Sequence, residues 1–179
     1  MIYSIGHGNR SWPELFSLLA SKNCKFLIDV RSFPASKFNP SFNKEHLDEQ
    51  CRIAGIKYVF MGDELGGRPA DKSLYDSAGR ADYQLIEKSP QYIAGISRLQ
   101  KAANISDNTF IMCSELSPCD CHRSKLIGKT LEGLGISIRH IDKIGAEASQ
   151  SRVIDQIDNG QADLFGDSAA ITKSRGKYW

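Results

Sequence analysis

Apolar residues fall along this chain in two rhythms that take turns. Short apolar runs at residues 3–5, 26–30, 58–61 and 109–112 have the length and composition of buried strands. Elsewhere apolar residues recur every three or four positions, as on the buried face of a helix. These sets are Leu15, Phe16, Leu18 and Leu19; Leu47, Cys51 and Ala54; Tyr92, Ile93, Ile96 and Leu99; and Leu126, Ile127, Leu131 and Leu134. The punctuation agrees with the periods. Ser11 and Glu14 spell a capping box, Asn43 stands where a cap belongs, and Ser89-Pro90 opens a helix. Gly55 stops the second helix, and Gly133 or Gly135 the fourth. Residues 136–140 alternate, as a half-exposed strand near a sheet edge does, and a last helical pattern ends near Ile157.

Strand and helix therefore alternate along most of the chain. This predicts an α/β fold: a single layered domain with a mainly parallel sheet flanked by helices and right-handed crossovers. The domain is expected over residues 1–158, with 159–179 as a C-terminal tail and no internal repeat. Sheets of this kind bind ligands at the carboxyl ends of their strands. Polar side chains gather at those ends: His7 and Arg10, Asp29 and Arg31, Glu64 and Arg68, Cys113 and Glu115. The polar connection up to about Arg80 is longer than packing requires, which suits a lid or binding loop.

Composition narrows the classes. The chain has 179 residues and a net charge of +2, too little to argue for nucleic acid alone, so any anion site must come from local clustering. No apolar stretch reaches membrane-spanning length and no signal-peptide pattern opens the chain, so a cytoplasmic protein with no membrane partner is expected. In that compartment the five cysteines, an odd count, read as reduced thiols. Cys24 and Cys51 read as structural.

The segment from Cys113 to Arg123 holds the densest chemistry. Cys113 and Glu115 lie at a strand exit; Cys121, His122 and Arg123 lie at a helix entry, where free N–H groups and partial positive charge hold anions and favour thiolates. Cys121 is thus the better reactive thiol, with Cys113 the other candidate and His7 or His122 as base. A phosphatase-like loop would carry arginine six positions after Cys113, where this chain has Cys119. A metal reading would use Cys113, Cys119, Cys121 and His122. Their spacing is tighter than paired zinc knuckles and no distant second pair exists, so neither metal nor cofactor is expected, and a Cys/His metal or redox site stands as an alternative. Asp29 and Glu115 are candidate acid–base groups, Glu115 if burial raises its pKa. Arg10, Arg31, Arg68 and Arg123 are expected to converge on an anion. Phe33, Phe38, Phe42 and Tyr83, interleaved with Lys37 and Lys44, are candidates to stack a base. His46 and His140 are expected to stand outside the chemistry.

These motifs resemble the domain-of-unknown-function 488 family: Ile5-Gly-His-Gly-Asn-Arg10, Leu27-Ile-Asp-Val-Arg-Ser-Phe-Pro34, Asn39-Pro-Ser-Phe-Asn43, Leu65-Gly-Gly-Arg68, Ala81-Asp-Tyr83, and Cys113 through Cys121-His-Arg-Ser124. The family more often has serine where this chain has Gly8. The resemblance implies an α/β fold and a shared polar site. On it Gly6, His7, Asn9, Arg10, Arg31, Asn43, Gly67, Arg68 and Arg123 are expected to bind substrate. In the tail, Gln161-Ala-Asp-Leu-Phe165 resembles the peptide by which bacterial repair proteins dock on the DNA sliding clamp, with Gln161, Leu164 and Phe165 as anchors. The expectation is an enzyme acting on a phosphate-bearing nucleotide or nucleic acid, in DNA repair or processing through the clamp. The alternatives are a non-catalytic nucleotide- or nucleic-acid-binding module and the Cys/His site.

Overall fold

A computed structural model describes residues 1–37, 39–159 and 169–178. Six strands form one sheet: β1 (Ile2–Gly6), β2 (Cys24–Asp29), β3 (Lys57–Phe60), β4 (Asn108–Cys113), β5 (Ile138–Ile141) and β6 (Glu147–Ser149). Their order is β3-β2-β4-β1-β5-β6. All neighbours pair in parallel except β5 and β6. The α/β fold with a mainly parallel sheet is thus as the alternating rhythms require.

Strand alternation sends successive side chains to opposite faces, and each face has its own core. On one face Leu27, Phe110 and Met112 meet Leu15 and Leu19 of α1 (Trp12–Ser21) and Leu47 and Cys51 of α2 (Lys44–Ile53). On the other, Ile28, Ile111 and Cys113 meet Leu65 of α3 (Gly62–Leu65), Tyr83 and Ile86 of α4 (Tyr83–Ile86), and Tyr92, Ile96 and Leu99 of α5 (Pro90–Ala103). Leu126 and Ile127 join this second core from a π-helix at Arg123–Gly128, which runs into α6 (Lys129–Gly133). The Ser11–Glu14 capping box forms as its spacing demands. Asn43 occupies the cap position of α2 without capping it; its Oδ1 accepts a bond from the Ser36 N–H at 2.7 Å and ties down the preceding loop.

β1 and β4 lie side by side in the middle of the sheet, and their outgoing connections run to opposite sides, β1 towards β2 and β4 towards β5. The open crevice lies at the carboxyl ends of β2 and β4, where residues that follow these two strands line one cleft. The ladder between β1 and β4 continues past both strands, with His7 N–H donating to Cys113 O at 3.0 Å and Gly8 N–H to Ser114 O at 2.8 Å.

After α7 (Gln150–Asn159), residues of α8 (Ala169–Thr172) and beyond return to the domain. Ser174 N–H donates to Ala81 O, Ala81 N–H donates to Ser174 Oγ, and Tyr178 N–H donates to Gly79 O. Residues 173–178 thus form a wall against the folded domain. No helix among the described residues is long and apolar enough to cross a membrane.

Candidate functional site

The loop after β4 carries the reactive groups, and Arg123 shapes that loop. Arg123 is fully buried and donates to the carbonyls of Glu115 and Leu116, the latter at 2.8 Å. Gly6 allows the close approach, because a Cβ there would stand 1.8 Å from Glu115 O. Folded back in this way, Glu115 Oε2 accepts from the thiols of Cys113 at 2.8 Å and Cys121 at 3.3 Å. His122 Nδ1 lies 3.7 Å from Cys113 Sγ and 3.8 Å from Cys121 Sγ. One ligand-type atom from each of Cys113, Glu115, Cys121 and His122 lies within 4.8 Å of all the others. Among the described residues this quartet is the group able to hold a metal ion.

Hydrogen bonds and burial set the charges. Burial pushes the Glu115 carboxyl up, but the donors from Cys113 and Cys121 and the nearby His122 outweigh it and bring the pKa down to about 2. This corrects the expectation of a raised Glu115: at neutral pH it accepts hydrogen bonds and is no proton donor. Cys113 moves the other way, its thiol held well above the ordinary range by its hydrogen bond with Cys121 and by burial. Burial lowers the proton affinity of His122, and Cys113 and Glu115 raise it further than burial lowers it.

The four arginines do not share a site. Arg31 pairs with Asp29 through two bonds, Nε to Oδ1 at 2.9 Å and Nη2 to Oδ2 at 2.6 Å, and also reaches Phe42 O. Tyr58 donates to the same carboxylate at 2.8 Å. Asp29, completely buried and fully partnered, therefore orients Arg31 and is corrected from a candidate acid–base group to a structural one. Arg10 donates to the carbonyls of Gly6, Asp142 and Lys143, and Arg123 to its two loop carbonyls, so both brace backbone and neither faces the cleft. Asn9 and Arg10 line a separate groove with Glu14, Ser36 and Asn39. His7 stacks on buried Phe42 at 4.5 Å and accepts from Arg31 Nη1 at 3.3 Å. Burial first, then the Arg31 charge, lowers its pKa to about 4, so it is a neutral packing residue. Gly6 and Gly67 bind no ligand through side chains; a Cβ on Gly67 would stand 2.8 Å from the His122 ring. Asn43 holds the loop before α2, as described above. His46 is exposed and His140 fully buried, bonded to Ser4 and Gln150 at 2.6 Å each.

What remains open is a cleft of about 240 Å³. Cys113, Glu115 and His122 line its floor, with Arg31, Gly67 and Tyr83 beside them. Its rim carries Phe33, 70% exposed, together with Arg68, Arg175 and Tyr178. The Arg68 guanidinium lies 4.3 Å above the Tyr178 ring. Arg175 pairs with Asp120 at 3.0 Å on the surface. Of the aromatics expected to stack a base, Phe33 keeps its face free, Phe42 is core, and Phe38 lies outside the described residues. Gln161, Leu164 and Phe165, the proposed clamp anchors, also lie outside them.

The family described as domain of unknown function DUF488 matches residues 11–131, more than half of the chain. This chain belongs to the DUF488 family. The matched span takes in Asp29, Arg31, Gly67, Arg68 and the whole segment from Cys113 to Arg123, so the quartet and most of the cleft floor are built from family sequence. The Ile5–Arg10 motif precedes the match, and the wall at 173–178 follows it. No curated protein and no solved structure matches the chain.

The DUF488 motifs did not point to Ser174, Arg175, Gly176 and Tyr178, which line the cleft from the far end of the chain. Their sequence signal was a basic, aromatic stretch, which alone is shared by many termini that never fold back.

Proposed function

We propose that this DUF488 protein is an enzyme acting on a small phosphate-bearing, ring-containing ligand of the nucleotide class. One observation carries the proposal: a thiol, imidazole and carboxylate centre forms the floor of a cleft whose rim offers a guanidinium and an exposed aromatic face. Arg68 has no carboxylate partner among the described residues, and the Tyr178 ring beneath it holds it in place. A planar guanidinium so placed suits a phosphate, and Phe33 suits the ring. The cleft, about 240 Å³, falls below the roughly 300–1,000 Å³ of drug-sized sites, so it takes part of a single nucleotide and leaves the remainder at the exposed rim. The phosphate is held at the rim and the reacting atom lies over Cys113, Glu115, Cys121 and His122.

The test is titration calorimetry with a panel of nucleoside monophosphates. Binding of at least one member is expected, weakened about tenfold or more by Arg68→Ala and by Phe33→Ala. Binding that survives both substitutions, or a panel with no ligand at all, defeats the proposal.

A further inference from the structure

We infer that Cys113, Cys121 and His122 bind one zinc-class ion, with Glu115 beside it on the floor of the cleft. The inference rests on the same site as the proposed function but not on the nucleotide.

Three independent features point to a cation. The first is spacing. Zinc bonds of about 2.3 Å to sulfur and about 2.0–2.1 Å to nitrogen, at tetrahedral angles, separate the two ligands by about 3.6 Å. The two sulfur-to-Nδ1 distances here are 3.7 and 3.8 Å. Both sulfur-to-nitrogen edges of a tetrahedral site are thus already in place, although the chain positions 113, 121 and 122 do not follow the paired-knuckle pattern.

The second feature is the imidazole's orientation. His122 Nε2 lies 3.2 Å from Val30 O, and a carbonyl only accepts, so Nε2 carries the hydrogen. Nδ1 then presents its lone pair to the sulfurs whenever the ring is neutral. A histidine that ligates metal almost always donates its other N–H to a carbonyl or carboxylate in this way. Gly67 leaves the space the ring needs.

The third is the surroundings of sulfur. Cys113, Cys121 and His122 are all buried, and the Arg123 N–H points at Cys121 Sγ at 3.5 Å. The buried Arg123 guanidinium, which donates only to the carbonyls of Glu115 and Leu116, lies beside the site and offsets the single negative charge that a divalent ion with two thiolates and a carboxylate would leave.

Ligation replaces the two thiol protons, which pass to solvent, by two S–metal bonds; no electron changes hands. Soft thiolates with one imidazole select zinc over the hard cations. Two sulfurs and one nitrogen leave a fourth position, and Cys113, Glu115 and His122 border the cleft there. This is the donor set of an open site rather than a closed structural one. Cys119 is excluded: its thiol points to Val153 O and Gln156.

The experiment is metal analysis of the reduced, full-length protein after incubation with zinc and removal of the excess. About one zinc per chain is expected. Cys113→Ser and Cys121→Ser should each lose it, and Cys119→Ser should keep it. Because a buried-cysteine variant can fail to fold, the unmodified protein is also titrated with cobalt(II), which should give the intense near-ultraviolet absorption of thiolate-to-cobalt charge transfer. No retained zinc, a cobalt spectrum without thiolate absorption, or a Cys113–Cys121 disulfide that survives reductant overturns the site. Nucleotide binding that depends on Arg68 in a protein that retains no zinc would remove the metal and leave the proposed function standing; zinc retention with no nucleotide binding would do the reverse.

Discussion

At Gly6 a missing carbon decides whether the site assembles. A methyl group there would occupy the place of Glu115 O, 1.8 Å away, and crowd Arg123 Nη1 at 2.6 Å. Neither neighbour is free to retreat, since one is backbone and the other is buried. Gly6→Ala is expected to cost about 3 kcal/mol or more in urea unfolding, beyond the usual range for an added methyl group. Gly8 answers the same logic. Its φ of +50° and its contact with Leu116, 2.0 Å from a built Cβ, explain why this chain has glycine where serine is common among the motifs it resembles. Both glycines sit in the opening motif, where Gly6 was expected to bind substrate. Their role is steric, and the missing side chain makes way for protein.

The elements around the crevice are held by buried polar pairs. Asp29 at the end of β2 locks Arg31 through two bonds, and Tyr58 of β3 completes the carboxylate's partners. Removing one member strands a buried charge, which costs about 3–5 kcal/mol. Asp29→Ala is expected to show that loss in chemical denaturation, and the double change Asp29→Ala with Arg31→Met to recover most of it. A loss in the double variant equal to the single one would mean that Asp29 acts through something other than Arg31. His140 plays a comparable part on the other side of β1. Gln150 Nε2 donates to Ser124 O at 3.0 Å, so its Oε1 accepts from His140 Nε2, and Ser4 Oγ–H donates to Nδ1. One neutral imidazole thus joins β1, β5, α7 and the π-helix that follows the quartet.

Across the molecule, two buried histidines give stability a pH dependence. His7 and His140 are ordinarily near 6.5 and are each lowered to about 4, mainly by burial. A depressed pKa means the unfolded chain takes up protons first, so stability is complete above pH 6.5 and is lost as pH falls towards 4, by up to about 3 kcal/mol per histidine. Melting temperatures recorded between pH 7 and 4 should fall through this window, and His140→Gln should flatten the slope. A melting temperature constant over the range would refute the burial of both rings as neutral species. The layered architecture needed no coordinates, because the periods of 2 and 3.6 and the caps at Ser11 and Ser89 are local consequences of backbone geometry. The quartet's members were equally visible, being crowded into residues 113–122. Their meeting was not, because it depends on Arg123 folding the loop onto Gly6, a contact across more than a hundred positions. Of the four arginines expected together, Arg31 and Arg68 line one cleft while Arg10 and Arg123 turn to backbone carbonyls, and only packing selects among these outcomes. The return of residues 173–178 to complete the cleft is likewise tertiary, since a basic aromatic stretch carries no local mark of the surface it will meet.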